Sequence, residues 1–265
     1  MFWSKMFIYN IDPVLLRLGP FEIRYYGLFF VLGFVMTYFL LVYLAKKKEL
    51  SITKDDIADL LLYIIVGIIL GARIFYVLIY NLPFYLSNPF EIIAVWNGGL
   101  SFHGGLIGAA IAGFYFTKKK KIDFYEIADI AVIPVALGLA FGRLGNFTNG
   151  ELYGRITSVP WSFKFPDAEG FRHPSQIYAS FKNFIIFLTL WAIKDKKFPK
   201  GFMFWLFVVM YSVLRFIVEF FRQPDPQLGF IIGFLTMGQI LSVVMFLVGI
   251  FFIYRVYKKD KSQQA

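Results

Sequence analysis

Polar residues that could do chemistry are concentrated in one short segment of this chain, GRLGNFTNGELYG at residues 142–154. The segment contains Arg143, Asn146, Asn149 and Glu151, and the thirteen residues before Arg143 are all uncharged. A guanidinium can bind a phosphate through two parallel hydrogen bonds, while amide and carboxylate groups orient it. Because an ionisable group at membrane depth usually marks function, the pattern predicts an anion site. The simpler alternative is an arginine whose charged end extends to the membrane surface beside a polar loop.

His103 is a second candidate, and it lies in a stretch of small residues, NGGLSFHGGLIGAAIAG. A neutral imidazole can accept a proton near pH 7, so His103 can be interpreted as a general base. It can equally be a neutral histidine that is hydrogen-bonded inside a helix bundle, and the sequence leaves both interpretations open. The glycines and alanines around it predict a close contact between helices. Ser101 does not indicate a serine hydrolase, because the motif GxSxG is absent.

Tyr211, Arg215 and Glu219 follow one another at intervals of four residues, so a helix places them on one face. Arg215 can be interpreted as a second anion ligand that Glu219 holds in place. Alternatively, the two charges only neutralise each other, since an unpaired charge at mid-bilayer costs about 2.5 to 3.5 kcal/mol. Arg73 is a weaker candidate of the same kind, and the sequence indicates no role for Lys182.

His173 begins the motif HPSQIY, and the proline after it favours a helix start over a ligand role. The chain has two histidines and no cysteine, which gives no closed ligand set for a metal ion. We therefore expect no metal site.

The composition is that of a membrane protein. Hydrophobic residues make up 58% of the chain and charged residues 17%, whereas an ordinary soluble domain has about 25% charged residues. The mean hydropathy is +0.65. The absence of cysteine excludes disulfides and a cysteine nucleophile of the protein's own. The net charge of +10 does not indicate a nucleic-acid partner, because the lysines form short clusters between apolar segments rather than one basic face.

Seven apolar segments are long enough for a helix to cross a hydrocarbon core about 30 Å thick. They cover approximately residues 25–45, 60–80, 98–117, 127–143, 176–193, 202–221 and 234–254. The sequence therefore predicts an all-α integral membrane protein with a single membrane domain over residues 1–265. Residues 1–24 are expected to form an amphipathic segment at the membrane surface, and residues 146–175 a small outer-face insertion.

The basic residues indicate an orientation, because short cytoplasmic loops are rich in Lys and Arg. Basic clusters follow the first, third, fifth and seventh apolar segments, whereas the loop between the second and third contains neither Lys nor Arg. Seven spans with an outer N-terminus and a cytoplasmic C-terminus satisfy this alternation.

The segment GRLGNFTNGELYG resembles the signature of the bacterial prolipoprotein diacylglyceryl transferases. Further stretches resemble that family in the same order along the chain, namely RYYGL, GARIFYVLIYN, NGGLSFHGGLIG, RHPSQIY, YSVLRFIVEFFRQPD and MGQILS. Such enzymes are multi-pass proteins of the bacterial inner membrane. They move the diacylglyceryl group of phosphatidylglycerol to the lipobox cysteine of a prolipoprotein signal peptide and release glycerol phosphate. The resemblance implies these two partners together with membrane lipids, and it implies no metal or organic cofactor.

The resemblance also implies functions for individual residues. Arg143 would contact the phosphatidylglycerol headgroup, with Asn146, Glu151 and Gly154 forming that site. Other positions that the family treats as functional are matched by Tyr26, His103, Arg215 and Glu219. One position departs from the family, because Ala179 stands where a glutamate commonly follows the tyrosine of HPSQxY. A catalytic role for that glutamate is therefore not carried over.

The residues and the resemblance fit one mechanism, in which a thiol attacks an sp3 carbon and expels a phosphate ester. A base should assist, because a free thiol with a pKa near 8.5 is mostly protonated at neutral pH. His103 is the favoured candidate, although it could instead orient a substrate. Arg143 and Arg215 would stabilise the charge on the leaving phosphate.

Three other classes of protein are alternatives. A transporter would use His103, Arg73 and Arg215 along a solute path, but the paired halves typical of such folds are not evident. An intramembrane protease needs a serine or two facing aspartates, and Asp129 is the single aspartate within the predicted spans. A purely structural membrane protein leaves the polar segment at residues 142–154 unexplained.

Overall fold

The computed structural model describes residues 6–224 and 229–264 and shows a mostly helical protein. Residues 1–5 of the expected surface segment, and Asp225 in the motif YSVLRFIVEFFRQPD, lie outside the described residues. The α-helices in the described ranges are α1 (Tyr25–Lys47), α2 (Lys54–Phe75), α3 (Leu82–Ser87), α4 (Phe102–Lys120), α5 (Phe124–Thr148), α6 (Ser175–Ile193), α7 (Phe202–Glu219) and α8 (Met237–Gln264). Helix α2 continues directly as a π-helix over Tyr76–Tyr80.

Each predicted span contains one long helix. In the part of the chain that the structure describes, six helices are long and apolar enough to cross a membrane. Helix α4 is not among these six, because its glycines and its three C-terminal lysines lower its apolar content. The multi-pass membrane architecture is therefore confirmed, whereas the crossing of α4 and the orientation of the termini stay predictions.

Short strands lie outside the long helices. The described residues form three two-stranded sheets, from β1 (Phe7–Ile8), β2 (Val14–Leu18), β3 (Phe21–Arg24), β4 (Phe163–Lys164), β5 (Phe230–Ile232) and β6 (Leu235–Thr236). The segment before α1 thus contains an antiparallel hairpin of β2 and β3, and β1 pairs in parallel with β4. Pro13 and Pro20 disfavour a helix in this segment, and Gly19 at a φ of +60° allows the tight turn.

The chain divides into two compact units. One unit comprises residues 41–127, and the other comprises the described parts of residues 1–40 and 128–265. His103 belongs to the first unit, whereas the polar segment at residues 142–154 belongs to the second.

Glycines hold α2 against α4 in the unit of residues 41–127. A Cβ atom added at Gly67 would lie 2.6 Å from the carbonyl oxygen of Gly108, and one added at Gly71 would overlap the carbonyl oxygen of Gly104. Each helix therefore contributes a GxxxG motif to a backbone-to-backbone crossing, as is common between membrane helices. The close helix contact predicted around His103 is confirmed, and its partner is α2.

Arg73 fixes the loop that precedes α4. Its side chain lies in the last turn of α2, is buried, and packs 5.0 Å from the ring centroid of Tyr85. The guanidinium donates hydrogen bonds to backbone carbonyl oxygens of Glu91, Ile92, Ala94, Gly98 and Gly99. Since these acceptors all belong to one loop, the structure gives Arg73 a structural role.

Asp129 has a structural role in the second unit. Its carboxylate accepts hydrogen bonds from the backbone N–H groups of Gly201 at 2.7 Å and Phe204 at 2.8 Å. It therefore satisfies N–H groups at the start of α7 that have no partner within the helix. A carboxylate engaged in this way does not support the protease alternative.

Small and polar residues bring the other helices of this unit together. A Cβ atom added at Gly33 of α1 would lie 3.4 Å from the Cα atom of Gly138 in α5. The hydroxyl of Ser180 in α6 donates to the carbonyl oxygen of Ala140 in α5 at 3.0 Å. These contacts set the start of α1 and the start of α6 against the C-terminal half of α5, where the polar segment begins.

Candidate active site

Three polar side chains at the end of α5 are connected by hydrogen bonds. The guanidinium of Arg143 donates from Nη1 to Oδ1 of Asn146 at 3.4 Å, and Nδ2 of Asn146 donates to Oε1 of Glu151 at 2.7 Å. The backbone N–H of Glu151 also donates to the carbonyl oxygen of Asn146 at 3.1 Å. The structure therefore brings together Arg143, Asn146 and Glu151, as the sequence predicted.

The turn that makes this arrangement possible follows α5 directly. Gly150 has a φ of +68°, and its N–H donates to the carbonyl oxygen of Phe147 at 2.9 Å. Glycine is favoured in this left-handed conformation because it has no Cβ atom. The chain consequently folds back after Thr148, and Glu151 returns to the side chain of Asn146.

The start of α6 supports the same turn. The amide Nε2 of Gln176 donates to the carbonyl oxygen of Glu151 at 2.6 Å. The hydroxyl of Ser175 donates to the carbonyl oxygen of Leu152 at 2.9 Å. The sequence pattern predicted a role for neither residue. The available signal was the polar Ser–Gln pair at the start of an otherwise apolar span.

Two buried amide oxygens near this turn are unpaired. Among the described residues, neither Oδ1 of Asn149 nor Oε1 of Gln176 has a hydrogen-bond partner. Buried acceptors are normally paired. Both oxygens are therefore acceptors that no described group of the protein satisfies.

Tyr26 lies beside the end of α5. A Cβ atom added at Gly145 would be 2.9 Å from Cδ2 of Tyr26, so the glycine lets the first turn of α1 approach α5 closely. Tyr26 also interacts electrostatically with Arg143 and Glu151. The structure thus places Tyr26 with the two charged residues of the polar segment.

Arg215 and Glu219 form the ion pair that their spacing predicts. Nη1 of Arg215 lies 2.7 Å from Oε2 of Glu219, and the Glu219 side chain is 4% exposed. The hydroxyl of Thr236 donates to Oε1 of Glu219 at 3.1 Å. A Cβ atom added at Gly238, in the motif MGQILS, would lie 2.9 Å from that same oxygen. Helix α8 therefore closes over the ion pair and fixes its position.

Arg143 and Arg215 belong to one cluster of basic side chains. Arg143 interacts electrostatically with Arg215, and Lys182 of α6 interacts with both. Tyr211 lies among them, with its ring centroid 3.7 Å from Nζ of Lys182. Positive charge from α5, α6 and α7 converges here, which is the arrangement that an anionic ligand requires.

Gly154 contributes to the site through its backbone. An added Cβ atom would lie 2.5 Å from the carbonyl oxygen of Phe221 and 2.6 Å from that of His173. The N–H of Gly154 donates to the carbonyl oxygen of His173 at 2.9 Å. Because two other backbone segments enclose this position, only glycine fits, and it joins the polar turn to the segment that precedes α6.

His173 has a structural environment. Its Nδ1 atom lies 3.1 Å from the hydroxyl of Tyr178, which accepts a hydrogen bond from Nε1 of Trp161 at 2.7 Å. Burial lowers the pKa of His173. Helix α6 begins at Ser175, just after Pro174. The interpretation of HPSQIY as a helix start is confirmed.

His103 and Ala179 are the remaining two positions that the sequence singled out. His103 lies in the first turn of α4, where its side chain is exposed, and the hydroxyl of Ser101 caps that helix by accepting from the N–H of Gly104 at 3.4 Å. Ala179 is buried within α6. Within the described ranges no three His, Cys, Asp or Glu residues are arranged to hold a metal ion.

The fold and the site together define a multi-pass membrane protein with a cluster of basic side chains from α5, α6 and α7. The family model for prolipoprotein diacylglyceryl transferase matches residues 13–255, and the chain belongs to that family. Similar proteins named phosphatidylglycerol–prolipoprotein diacylglyceryl transferase occur in several bacteria. The protein of Geobacter sulfurreducens is 50% identical over 91% of this chain and 94% of its own length. The protein of Desulfotalea psychrophila is 43% identical over 95% of this chain and 96% of its own length. The protein of Coxiella burnetii is 42% identical over 94% of this chain and 97% of its own length.

Proposed function

We propose that this protein transfers the diacylglyceryl group of phosphatidylglycerol to the lipobox cysteine of prolipoproteins, the first step of lipoprotein maturation. The family and the names of its relatives support this activity. The observation that carries it in this chain is the hydrogen-bonded series Arg143–Asn146–Glu151, whose arginine interacts electrostatically with Arg215.

The chemistry requires one bond to form and one to break. The sulfur of the substrate cysteine bonds to the carbon of the diacylglycerol unit that carries the phosphate. The bond between that carbon and the phosphate oxygen breaks. The electron pair leaves on the phosphate oxygen, and the thiol proton passes to a base. The protein needs no cysteine of its own, because the nucleophile belongs to the substrate.

The cationic cluster is suited to the phosphate of the lipid. In our proposal the guanidinium groups of Arg143 and Arg215 bind its oxygen atoms and stabilise the charge that grows on the leaving group. Glu219 holds Arg215 in place, while Asn146 and Glu151 hold Arg143. Preorganised charges of this kind are effective because they need no reorientation during the reaction.

The glycerol headgroup carries hydroxyl groups that match the unpaired acceptors of the site. Oδ1 of Asn149 and Oε1 of Gln176 are buried and lack partners among the described residues. Hydrogen bonds from the headgroup would satisfy them, and Tyr26 and the backbone around Gly154 complete the surroundings. This supports phosphatidylglycerol as the lipid substrate.

His103 is proposed as the base that receives the thiol proton. An imidazole is suited to this task at neutral pH. Its exposed side chain in the first turn of α4 is accessible to a substrate. The alternative role, orientation of a substrate, predicts a smaller loss of activity on replacement.

We further propose a single membrane domain in the inner membrane with seven spans, including α4. The N-terminus and the insertion at residues 146–175 would lie on the outer face, and the C-terminus in the cytoplasm. The last turns of α1, α4 and α8 contain lysines, in agreement with the preference of basic residues for the cytoplasmic side.

The proposed function is tested with the purified protein in liposomes that contain phosphatidylglycerol and a synthetic lipobox peptide. We expect a diacylglyceryl adduct on the peptide cysteine by mass spectrometry, together with an equal amount of released glycerol phosphate. A peptide with serine in place of cysteine is the control. If the folded protein forms no adduct, the proposed function is wrong.

Two variants test the assigned residues in the same assay. Arg143→Ala should lower kcat by about 10² to 10³, because it removes a donor to the leaving phosphate. His103→Gln should lower it by about 10² to 10⁴ if the imidazole is the base. Full activity of both variants in a correctly inserted protein would contradict these roles.

A further inference from the structure

Lys182 is a buried lysine that the roles assigned above do not use. Its side chain lies within α6, and the residue is 4% exposed. Nζ donates a hydrogen bond to Oδ1 of Asn183 at 2.6 Å and lies 3.7 Å from the ring centroid of Tyr211. Among the described residues, no carboxylate lies within ion-pair distance of Lys182.

The charged neighbours of Lys182 are cations as well. It interacts electrostatically with Arg215 and Arg143, and both interactions are repulsive. A buried charge without a counter-ion is destabilising, and such residues in membrane helices usually serve a function. Structural stability therefore does not explain a lysine at this position.

The arginines of the site have carboxylate partners. Arg215 pairs with Glu219, which also lies 3.8 Å from Nη1 of Arg222, and Arg143 is connected to Glu151 through Asn146. Lys182 is thus the basic residue of the cluster that has no carboxylate partner among the described residues. The amide oxygen of Asn183 and the ring of Tyr211 hold its ammonium group in place without neutralising it.

We propose that Lys182 is a third phosphate-binding cation that stabilises the leaving glycerol phosphate. This inference rests on the proposed function. The phosphodiester of phosphatidylglycerol carries one negative charge. When the carbon–oxygen bond breaks and the sulfur–carbon bond forms, the electron pair stays on the phosphate oxygen, and the product becomes a phosphate monoester with a second charge. A protonated Lys182 would supply a positive charge opposite the charge that the reaction creates.

The proposal is tested with Lys182→Met, which has a similar length and no charge. We expect kcat to fall by about 10², as for loss of one donor to a developing anion, with a much smaller change in KM for phosphatidylglycerol. Direct binding of glycerol phosphate, measured by calorimetry, should weaken by about tenfold or more, which is the effect of losing one charged hydrogen bond. Lys182→Arg should keep most of both properties.

The controls separate function from folding. Lys196→Met removes an exposed lysine that follows α6 and should leave activity and binding unchanged. Lys182→Met should unfold at the same temperature as the parent protein or a higher one, because it removes a repulsive buried charge. A merely structural lysine would instead show a lower unfolding temperature with unchanged binding of glycerol phosphate.

Several outcomes would overturn the proposal. One is a folded Lys182→Met protein with normal kcat and normal binding of glycerol phosphate. Another is a Lys182→Arg protein as inactive as Lys182→Met, with an altered pH profile of kcat, which would make Lys182 a proton acceptor. If the parent protein forms no lipid adduct, the proposed function fails, while the binding measurement still tests whether Lys182 holds a phosphate.

Discussion

Asn146 is the residue on which the geometry of the polar segment depends. Its amide accepts from the guanidinium of Arg143 through Oδ1 and donates to the carboxylate of Glu151 through Nδ2. One amide can perform both tasks because it carries an acceptor and a donor on the same plane. A carboxylate or a hydrocarbon at this position would break at least one of the two contacts.

Replacement of this amide should reduce activity without unfolding the protein. Asn146→Ala removes a hydrogen bond to a charged group, worth about 1.5 to 3 kcal/mol, so we expect kcat/KM for phosphatidylglycerol to fall about ten- to a hundredfold. The lipid-adduct assay measures this ratio.

The matched control is Asn88→Ala. The Asn88 amide is exposed, and its Nδ2 donates to the carbonyl oxygen of Phe84, in α3. Equal activities of the two variants would show that Asn146 does not position Arg143.

At the scale of the helices, the contact between α2 and α4 depends on the absence of side chains. A Cβ atom added at Gly71 would overlap the carbonyl oxygen of Gly104, and one added at Gly104 would overlap the carbonyl oxygen of Gly71. Such crossings allow van der Waals contact between backbones over several turns. The same contact sets the first turn of α4, in which His103 lies.

A methyl group in this crossing should separate the helices. Gly71→Ala overpacks the contact and should destabilise the protein by about 1 to 3 kcal/mol. Gly113→Ala is the control, because an added Cβ atom there would lie 3.5 Å from the nearest atom, Cδ1 of Ile64. Thermal unfolding of the two variants in detergent provides the comparison. If Gly113→Ala lowers the unfolding temperature as much as Gly71→Ala, the crossing is not the cause.

Helix ends decide the positions of the functional groups more than helix interiors do. Arg143 occupies the last turns of α5, Ser175 and Gln176 begin α6, and Glu219 ends α7. Backbone groups at helix ends lack partners within the helix, so they are available to hold turns and side chains. This explains why the polar turn after α5 is ordered by α6.

At the scale of the whole molecule, the property to measure is how many times the chain crosses the membrane. Six helices of the described part are long and apolar enough to cross, and α4 is the seventh that the lysine pattern requires. Because the protein contains no cysteine, a single introduced cysteine reports its own position without background.

Labelling with a membrane-impermeant maleimide tests the seven-span topology. In intact spheroplasts we expect Ser87→Cys, before α4, and Glu169→Cys, in the outer insertion, to be labelled. Lys119→Cys, at the end of α4, and Lys261→Cys should react only after the membrane is permeabilised. If Ser87→Cys and Lys119→Cys behave alike, α4 does not cross the membrane.

Much of this molecule follows from the sequence. Apolar length predicted where each long helix lies, because a helix in lipid must present about twenty apolar residues. The four-residue spacing predicted the pairing of Arg215 with Glu219, since helical geometry fixes which residues are neighbours. The dense polar segment at the end of α5 indicated the candidate site, because polar residues are costly at membrane depth.

The tertiary structure decided which helices meet, and periodicity does not contain that information. It packed α2 against α4. It also paired Arg73 with backbone carbonyl oxygens and Asp129 with backbone N–H groups, and it brought the Gln176 amide to the carbonyl oxygen of Glu151 in the polar turn. It also placed Lys182, unremarkable in the sequence, beside Arg143 and Arg215. The charged neighbours of Lys182 come from other helices, so the sequence determined which groups exist and only the packing determined that these three lie together.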